Sequence, residues 1–212
     1  MLDAALRRLI AAPLERAGRF LADRGVAADA MTIIGFAVGM LAVPALACQH
    51  YGLALAAILV NRLADGLDGA IARQAGQRGG QTAGSTDLGG YLDIVLDFLF
   101  YAAVPLGFAL ADPAANALAA CVLLASFIGT GASFLAYAVL AAKRGLQTER
   151  RGRKSFYHMG GLAEGTETIL AFTAFCLLPA WFPALAYGFA ALCALTILGR
   201  IALAWREFGG ER

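Results

Sequence analysis

The chain has 212 residues, of which 60% are hydrophobic and 15% are charged. A soluble domain of this length usually has about half of its residues apolar and about a quarter charged, so the composition argues against a soluble protein. The formal net charge of +2 is small, and no nucleic-acid partner is expected.

The N-terminal stretch "MLDAALRRLIAAPLERAGRFLADR" mixes Leu, Ile and Phe with Arg at roughly helical spacing. This pattern predicts an amphipathic juxtamembrane helix over residues 1–25 that lies on the cytoplasmic face of a membrane. We expect it to break or start afresh near Pro13, because proline cannot donate its backbone hydrogen bond. Packing of this helix against its own protein is an open alternative.

The remaining residues, 26–212, contain repeated apolar segments of the length that crosses a bilayer, which is roughly 20 residues. They predict an all-α, polytopic membrane domain of six transmembrane helices. The predicted spans are about 30–48, 52–72, 91–110, 114–142, 163–182 and 184–205.

The basic residues predict the orientation of these spans. The connections at Gln49–Tyr51, Ala111–Pro113 and Pro179–Pro183 contain no Lys or Arg. All seventeen basic residues lie in segments on the opposite side or at the span ends beside them. By the positive-inside rule that side is cytoplasmic, and both termini are expected there.

Two cytoplasmic connections differ in character. The first, Gln74–Gly90, is rich in Gly, Ser, Thr and Gln and is predicted to be a flexible loop. The second, Lys143–Gly161, holds six basic residues, which suit either an anionic ligand or ordinary attraction to anionic lipid.

Paired aspartates lie near the cytoplasmic ends of the second and third predicted spans. Asp65 and Asp68 are three residues apart, and Asp93 and Asp97 are four apart, so each pair shares a helical face. An ionisable group at bilayer depth costs at least about 2.5–3.5 kcal/mol. The two spans are antiparallel neighbours, and we therefore expect the four carboxylates to converge on the bundle interior.

Converging carboxylates repel one another unless a positive charge lies between them. Two divalent cations meet that need, and oxygen-only ligands favour Mg²⁺ or Mn²⁺. Gly69 and Gly89 suit close approach of a ligand to the backbone, and Arg73 suits bidentate phosphate binding. The alternative, that Arg62 and Arg73 merely pair with the aspartates, leaves two carboxylates without a cation.

These residues form a motif, which reads Asp65-x-x-Asp68-Gly69-x-x-Ala72-Arg73 and then Gly89-x-x-x-Asp93-x-x-x-Asp97. The motif resembles the signature of the CDP-alcohol phosphatidyltransferase family. A little-studied bacterial inner-membrane branch of that family is also resembled by three stretches, "KSFYHMGGLAEGTETI", "NRLADGLDG" and "LDFLFY".

Two features depart from the family pattern. Fifteen residues separate Arg73 from Gly89, seven more than is usual, which a loop absorbs at small entropic cost. The extra residues leave open how the loop covers the nucleotide. In "VAADAMT", Asp29 stands where the family often has Asn, while the Thr that helps to hold the cytidine is retained as Thr32. A helix N-cap role for Asp29 is the open alternative.

The resemblance implies a metal-dependent phosphotransferase of phospholipid biosynthesis, in which an alcohol attacks the diacylglycerol-linked phosphorus of CDP-diacylglycerol and CMP leaves. By the same resemblance, a homodimer in the bacterial inner membrane is expected. The position of the aspartates at the cytoplasmic ends of their spans predicts a site at the cytoplasmic face. The metal ligands that the resemblance implies are Asp65, Asp68 and Asp93, together with Asp97, which is also the base for the acceptor hydroxyl. The residues it places at the donor are Gly69, Ala72, Arg73, Gly89 and Thr32, with Asp68 beside them.

The acceptor is less well defined by the sequence. Our leading prediction is a phosphorylated polyol, such as glycerol 3-phosphate or an inositol phosphate, and a neutral polyol or amino alcohol is the alternative. Candidate cations and neighbours for such an acceptor are Lys143, Arg144, Arg150 to Lys154, His158, Glu164, Glu167 and Arg200. Two alternatives to a transferase are non-catalytic binding of a CDP-lipid and transport of divalent metal ions.

Overall fold

The computed structural model describes residues 2–79, 86–144, 163 and 165–209, and these residues are almost entirely helical, with no β-strand among them. The helices in chain order are α1 (Leu2–Asp23), α2 (Ala28–Met40), α3 (Ala42–Ala47), α4 (Tyr51–Gly79), α5 (Asp87–Ala111), α6 (Pro113–Lys143), α7 (Gly165–Leu177) and α8 (Phe182–Phe208), with a 3₁₀ turn at Pro179–Trp181. The chain divides into two compact units, residues 1–117 and 118–212. The all-α class predicted from the sequence is confirmed.

Four segments of the described chain are long and apolar enough to cross a membrane: Ala28–Ala47, Asp87–Ala111, Pro113–Lys143 and Pro179–Phe208. α7 is apolar but shorter, with 13 residues. α4 has 29 residues, but charged side chains lower its hydropathy. The count of six spans therefore stays a prediction.

The first predicted span consists of two helices that meet at Leu41. Pro44, inside α3, has no backbone N–H, so it cannot donate to the carbonyl of Met40 one turn earlier. Leu41 keeps right-handed dihedrals, φ −65° and ψ −16°. α2 and α3 therefore follow one another with only a local interruption.

Two local predictions are wrong. α1 runs through Pro13 without a break, although the proline cannot donate a backbone hydrogen bond. The predicted loop Gln74–Gly90 is shorter than expected, since α4 continues to Gly79 and α5 already begins at Asp87. Thr86 caps α5 by accepting a hydrogen bond from the Gly89 N–H at 2.8 Å, which fixes this early start.

Glycines allow the helices of the first unit to approach closely. A Cβ on Gly35 would lie 2.5 Å from the Cβ of Ala64, and one on Gly18 would lie 2.5 Å from the Cβ of Ala70. These two contacts join α2 and α1, respectively, to α4. Close backbone approach through small residues is the usual basis of helix association in membranes, and here it places α1 and α2 beside the part of α4 that carries the aspartates.

In the second unit, aromatic rings pack the helices together. Phe127 of α6 meets Phe172 of α7 edge-on at 6.2 Å between ring centroids, and it meets Phe189 of α8 at 6.1 Å. Phe175 and Phe182 are T-shaped at 5.2 Å. Such pairs add to the burial of apolar area.

We predict that Gly107→Ala destabilises the protein, whereas Gly52→Ala does not. A Cβ on Gly107 would lie 2.8 Å from Cδ1 and 2.9 Å from Cβ of the buried Leu46, whereas one on Gly52 meets nothing within 4 Å. Overpacking costs about 1–3 kcal/mol, and a free Gly→Ala change in a helix gains up to about 1 kcal/mol. Thermal unfolding in detergent measures both. Equal melting temperatures for the two variants would contradict the packing described.

Candidate active site

Three aspartates from two helices come together in the first unit. Asp65 of α4 and Asp93 and Asp97 of α5 each offer a carboxylate oxygen, and these oxygens lie within 4.8 Å of one another. Asp93 and Asp97 are one turn apart, so both face α4. This is the one group of the described residues with the spacing of a metal site.

The fourth aspartate of the motif, Asp68, is buried beside this group, and its Oδ2 is held from α2. The Thr32 hydroxyl donates to Asp68 Oδ2 at 2.6 Å. A small cavity of about 10 Å³ is lined by all four aspartates, together with Thr32, Phe36, Asn61 and Leu96.

Arg62 provides the positive charge inside this aspartate cluster. Its Nη2 lies 2.6 Å from Asp65 Oδ1 and 3.1 Å from Asp97 Oδ1, and its side chain is only 16% exposed. The other terminal nitrogen, Nη1, donates to the Tyr101 hydroxyl at 2.8 Å. One guanidinium thus connects carboxylates from both helices.

A larger cavity of about 660 Å³ opens beside the aspartates, between the α1–α2 connection, α4 and α5. Its wall is mostly apolar, and its polar groups include Thr32, Asp68 and Asp93. Cavities of this size hold small organic ligands. The motif residues Gly69, Ala72 and Gly89 also line it.

The two motif glycines leave backbone open to this cavity. A Cβ on Gly69 would meet a single side-chain atom, Arg73 Nη1 at 3.3 Å. A Cβ on Gly89 would come within 2.7 Å of Asp29 Oδ1, so a side chain at this position would require the Asp29 carboxylate to move. Asp29 is not the helix N-cap, which is Ala27 and makes no side-chain cap. Asp29 lies in the first turn of α2 instead, where the helix dipole favours an acidic group.

Arg73 is held from α1. Its Nε donates to Glu15 Oε1 at 2.7 Å, and Gln74 Nε2 donates to Glu15 Oε2 at 3.1 Å. The hydrogen bond from Arg73 is the main reason why the pKa of the Glu15 carboxyl lies below its usual value, against a smaller opposing effect of burial. The stability that this pair contributes is therefore complete above the usual carboxyl pKa and is lost as the pH falls through the lowered pKa of Glu15.

The residues considered for an acceptor are placed as follows. The run from Arg150 to Lys154, together with His158 and Glu164, lies outside the described residues. Arg200 of α8 donates through Nη1 to the Thr130 carbonyl at 2.8 Å. Arg144 lies 4.6 Å over the Phe208 ring, and Glu167 is partly buried in the first turn of α7.

Three residues near the site were not identified from the sequence: Asn61, Tyr101 and Glu15. Asn61 and Tyr101 could have been recognised by their spacing, because Asn61 lies one turn before Asp65 and Tyr101 lies one turn after Asp97. Glu15 could not, because its contact with Arg73 joins positions 58 residues apart.

An apolar helical chain with clustered carboxylates beside a ligand-sized cavity has the architecture of a membrane-bound, metal-dependent phosphotransferase. The chain belongs to the CDP-alcohol phosphatidyltransferase family, whose model matches residues 25–205. It is 52% identical to the inner membrane protein YnjF of Escherichia coli, over 95% of this chain and 94% of that protein. The resemblance seen in the sequence is thereby confirmed.

Further relatives share parts of the sequence or the fold. The archaetidylinositol phosphate synthase of Pyrococcus horikoshii is 36% identical over 50% of this chain and 52% of that protein. Two crystal structures of the Mycobacterium tuberculosis phosphatidylinositol phosphate synthase PgsA1, at 21% identity, share the fold. The one with CDP-DAG bound has a TM-score of 0.71 and covers 94% of this chain and 97% of that one. The complex with manganese and citrate has a TM-score of 0.72, with 94% and 92% covered.

We predict that Arg62→Leu lowers the stability of the metal-free protein by about 3 kcal/mol. This value is at the low end of the range for breaking a buried ion pair, because Asp65 and Asp97 are partly exposed. Mn²⁺ should restore part of this loss by replacing the missing positive charge. Melting curves in EDTA and in Mn²⁺ measure the two effects.

Tyr101→Phe serves as the control for Arg62→Leu, since it removes the hydroxyl that accepts from Arg62 and leaves the charge; loss of this hydrogen bond should cost about 1 kcal/mol. A melting temperature of Arg62→Leu that does not respond to Mn²⁺ would show that the cluster needs no cation.

Proposed function

We propose that this protein transfers a phosphatidyl group from CDP-diacylglycerol to the hydroxyl of a small acceptor and releases CMP. The observation that carries this proposal is the group of three carboxylate oxygens within 4.8 Å of one another on α4 and α5, beside a cavity large enough for a nucleotide headgroup. The CDP-DAG-bound structure of the Mycobacterium tuberculosis enzyme supports the choice of donor.

The donor atoms of the cluster fit hard divalent cations. Every candidate ligand is a carboxylate oxygen, which suits Mg²⁺ or Mn²⁺ and not a soft metal. Asp65, Asp68, Asp93 and Asp97 would hold two such ions. When bound, the ions supply positive charge that stabilises the attacking and leaving oxygens of a phosphoryl transfer. The manganese complex of PgsA1 supports this assignment.

The larger cavity is our proposed site for the CDP part of the donor. Gly69 and Gly89 allow the nucleotide to approach the backbone, with Ala72 adding a small side chain to the same wall. Thr32 lies at the end of the cavity that contains Asp68. Arg73, fixed by Glu15, lies beside Gly69 and is our proposed phosphate contact.

Asp97 is our proposed general base. It accepts the proton of the acceptor hydroxyl while the acceptor oxygen forms a bond to the phosphorus that carries diacylglycerol. The bond from that phosphorus to the bridging oxygen breaks, and its electron pair leaves with CMP. Arg62 and Tyr101 hold Asp97 in place through the guanidinium group.

We propose a phosphorylated polyol as the acceptor. The Pyrococcus horikoshii and Mycobacterium tuberculosis relatives are named as synthases of inositol phosphate lipids, and Lys154 and Arg200 are candidate cations for an acceptor phosphate. We further propose that the chain works as a homodimer in the bacterial inner membrane with its site at the cytoplasmic face, in line with the YnjF relative and the distribution of basic residues.

The reaction is tested with purified protein in detergent, CDP-diacylglycerol, Mn²⁺ and a panel of acceptors that includes glycerol 3-phosphate, inositol phosphate, inositol and serine. We expect CMP release with a phosphorylated polyol and none after EDTA. Release only with a neutral polyol or amino alcohol would overturn the choice of acceptor. No release with any acceptor, despite donor binding, would overturn the transferase, and metal flux in proteoliposomes would then favour a transporter.

The role of Asp97 is tested by Asp97→Asn. Loss of a general base should lower the turnover rate by about 10²–10⁴-fold, while binding of CDP-diacylglycerol is retained. The matched control is Asp112→Asn just after the other end of α5, where the side chain accepts a hydrogen bond from the Ala115 N–H. A fully active Asp97→Asn enzyme would exclude Asp97 as the base.

The contact between α1 and Arg73 is tested by Glu15→Gln. We expect a higher KM for CDP-diacylglycerol with little change in kcat, because Arg73 loses its ionised partner but the aspartates stay in place. The neighbouring Arg16→Gln, at an exposed position, is the control. Unchanged KM in Glu15→Gln would show that this contact does not act on the donor.

A further inference from the structure

Asn61 is buried beside the aspartate cluster although it has no place in the family signature. It is 6% exposed and lies four residues, about one turn, before Asp65 on α4. It lines the small cavity that Asp65, Asp68, Asp93 and Asp97 also line. A polar side chain buried this deeply normally satisfies both halves of its amide group.

The amide group of Asn61 has one satisfied half. Its Nδ2 donates to the Gly35 carbonyl oxygen of α2 at 3.1 Å. Only the NH₂ group can donate, so the carbonyl of Gly35 fixes which amide atom faces α2. Gly39 holds the side chain from the same helix, since a Cβ there would lie 2.9 Å from both Cβ and Nδ2 of Asn61.

The other half of the amide, Oδ1, is buried and has no hydrogen-bond partner among the described residues. Leaving a buried acceptor unsatisfied costs about 1–3 kcal/mol. If Asn61 served only to join α2 to α4, nothing would compensate for this loss of stability. Asn61 lines a cavity together with four carboxylates, and an anion bound there would add to their repulsion. Oδ1 can serve a cation or a water molecule bound to one.

We propose that Asn61 supplies a further, neutral oxygen to the divalent-cation site, through its Oδ1. Asparagine carbonyls are established ligands of hard divalent cations, and groups of this kind that support the carboxylate ligands tune metal affinity. A neutral oxygen completes coordination without adding a fifth negative charge. This inference rests on the proposed function, since it requires that the aspartates hold a metal ion.

The test measures Mn²⁺ affinity and metal-free stability separately, using the full-length protein in detergent. Free Mn²⁺ is followed by electron paramagnetic resonance after removal of metal with EDTA, and unfolding is followed in EDTA. We expect Asn61→Leu to weaken Mn²⁺ binding about tenfold or more. The matched control is Asn116→Leu, because Asn116 is also buried, at 7% exposure, and its Nδ2 donates to the Phe108 carbonyl at 2.9 Å. The Asn116→Leu variant should be less stable and should keep its Mn²⁺ affinity.

Equal Mn²⁺ affinity in folded Asn61→Leu and Asn116→Leu would overturn the inference while leaving the metal site intact. If Asn61→Leu does not fold, Asn61→Ala decides, because it removes the amide oxygen without adding bulk or charge. Mn²⁺ binding that is about tenfold weaker or more supports the inference, and unchanged Mn²⁺ binding contradicts it. Absence of Mn²⁺ binding by the unmodified protein would instead overturn the metal site of the proposed function, and this inference with it.

Discussion

The repulsion among carboxylates on two adjacent helices is the constraint on which the first unit depends. Four aspartates line one small cavity, and Arg62 is the cation that pairs with them in the described chain. The formal charge of the group is then four negative charges and one positive charge, or −3. Arg73 does not reduce this excess, because it pairs with Glu15. Divalent cations would resolve the imbalance, because carboxylate oxygens are ligands that they favour, and they would supply the charge that phosphoryl transfer requires.

The helices of the first unit pack closely around this cluster. Gly35 and Gly39 let α2 lie close to α4, so that Thr32 reaches Asp68 and Asn61 reaches Gly35. Gly18 does the same for α1, which brings Glu15 to Arg73. A helix that looks in sequence like a membrane-surface element is therefore also part of the wall of the candidate donor cavity, through Ala22.

The positions of the helices and the convergence of each aspartate pair on one helical face could be predicted from the sequence. Apolar periodicity and i, i+3 or i, i+4 spacing are local properties. The sequence did not predict the continuous path of α1 through Pro13 or the extension of α4 to Gly79. Both depend on how neighbouring residues complete the helix, and composition alone favoured a break or a loop. The partner of Arg73 depends on tertiary packing between distant segments, and no local pattern encodes it.

The central claim is that α4 and α5 together form a divalent-metal centre. The most direct test is a crystal structure of the protein grown with Mn²⁺, in which anomalous scattering locates the metal. We expect manganese peaks among Asp65, Asp68, Asp93 and Asp97, in contact with carboxylate oxygens from both helices. Well-ordered aspartates without an anomalous peak at saturating Mn²⁺ would contradict it.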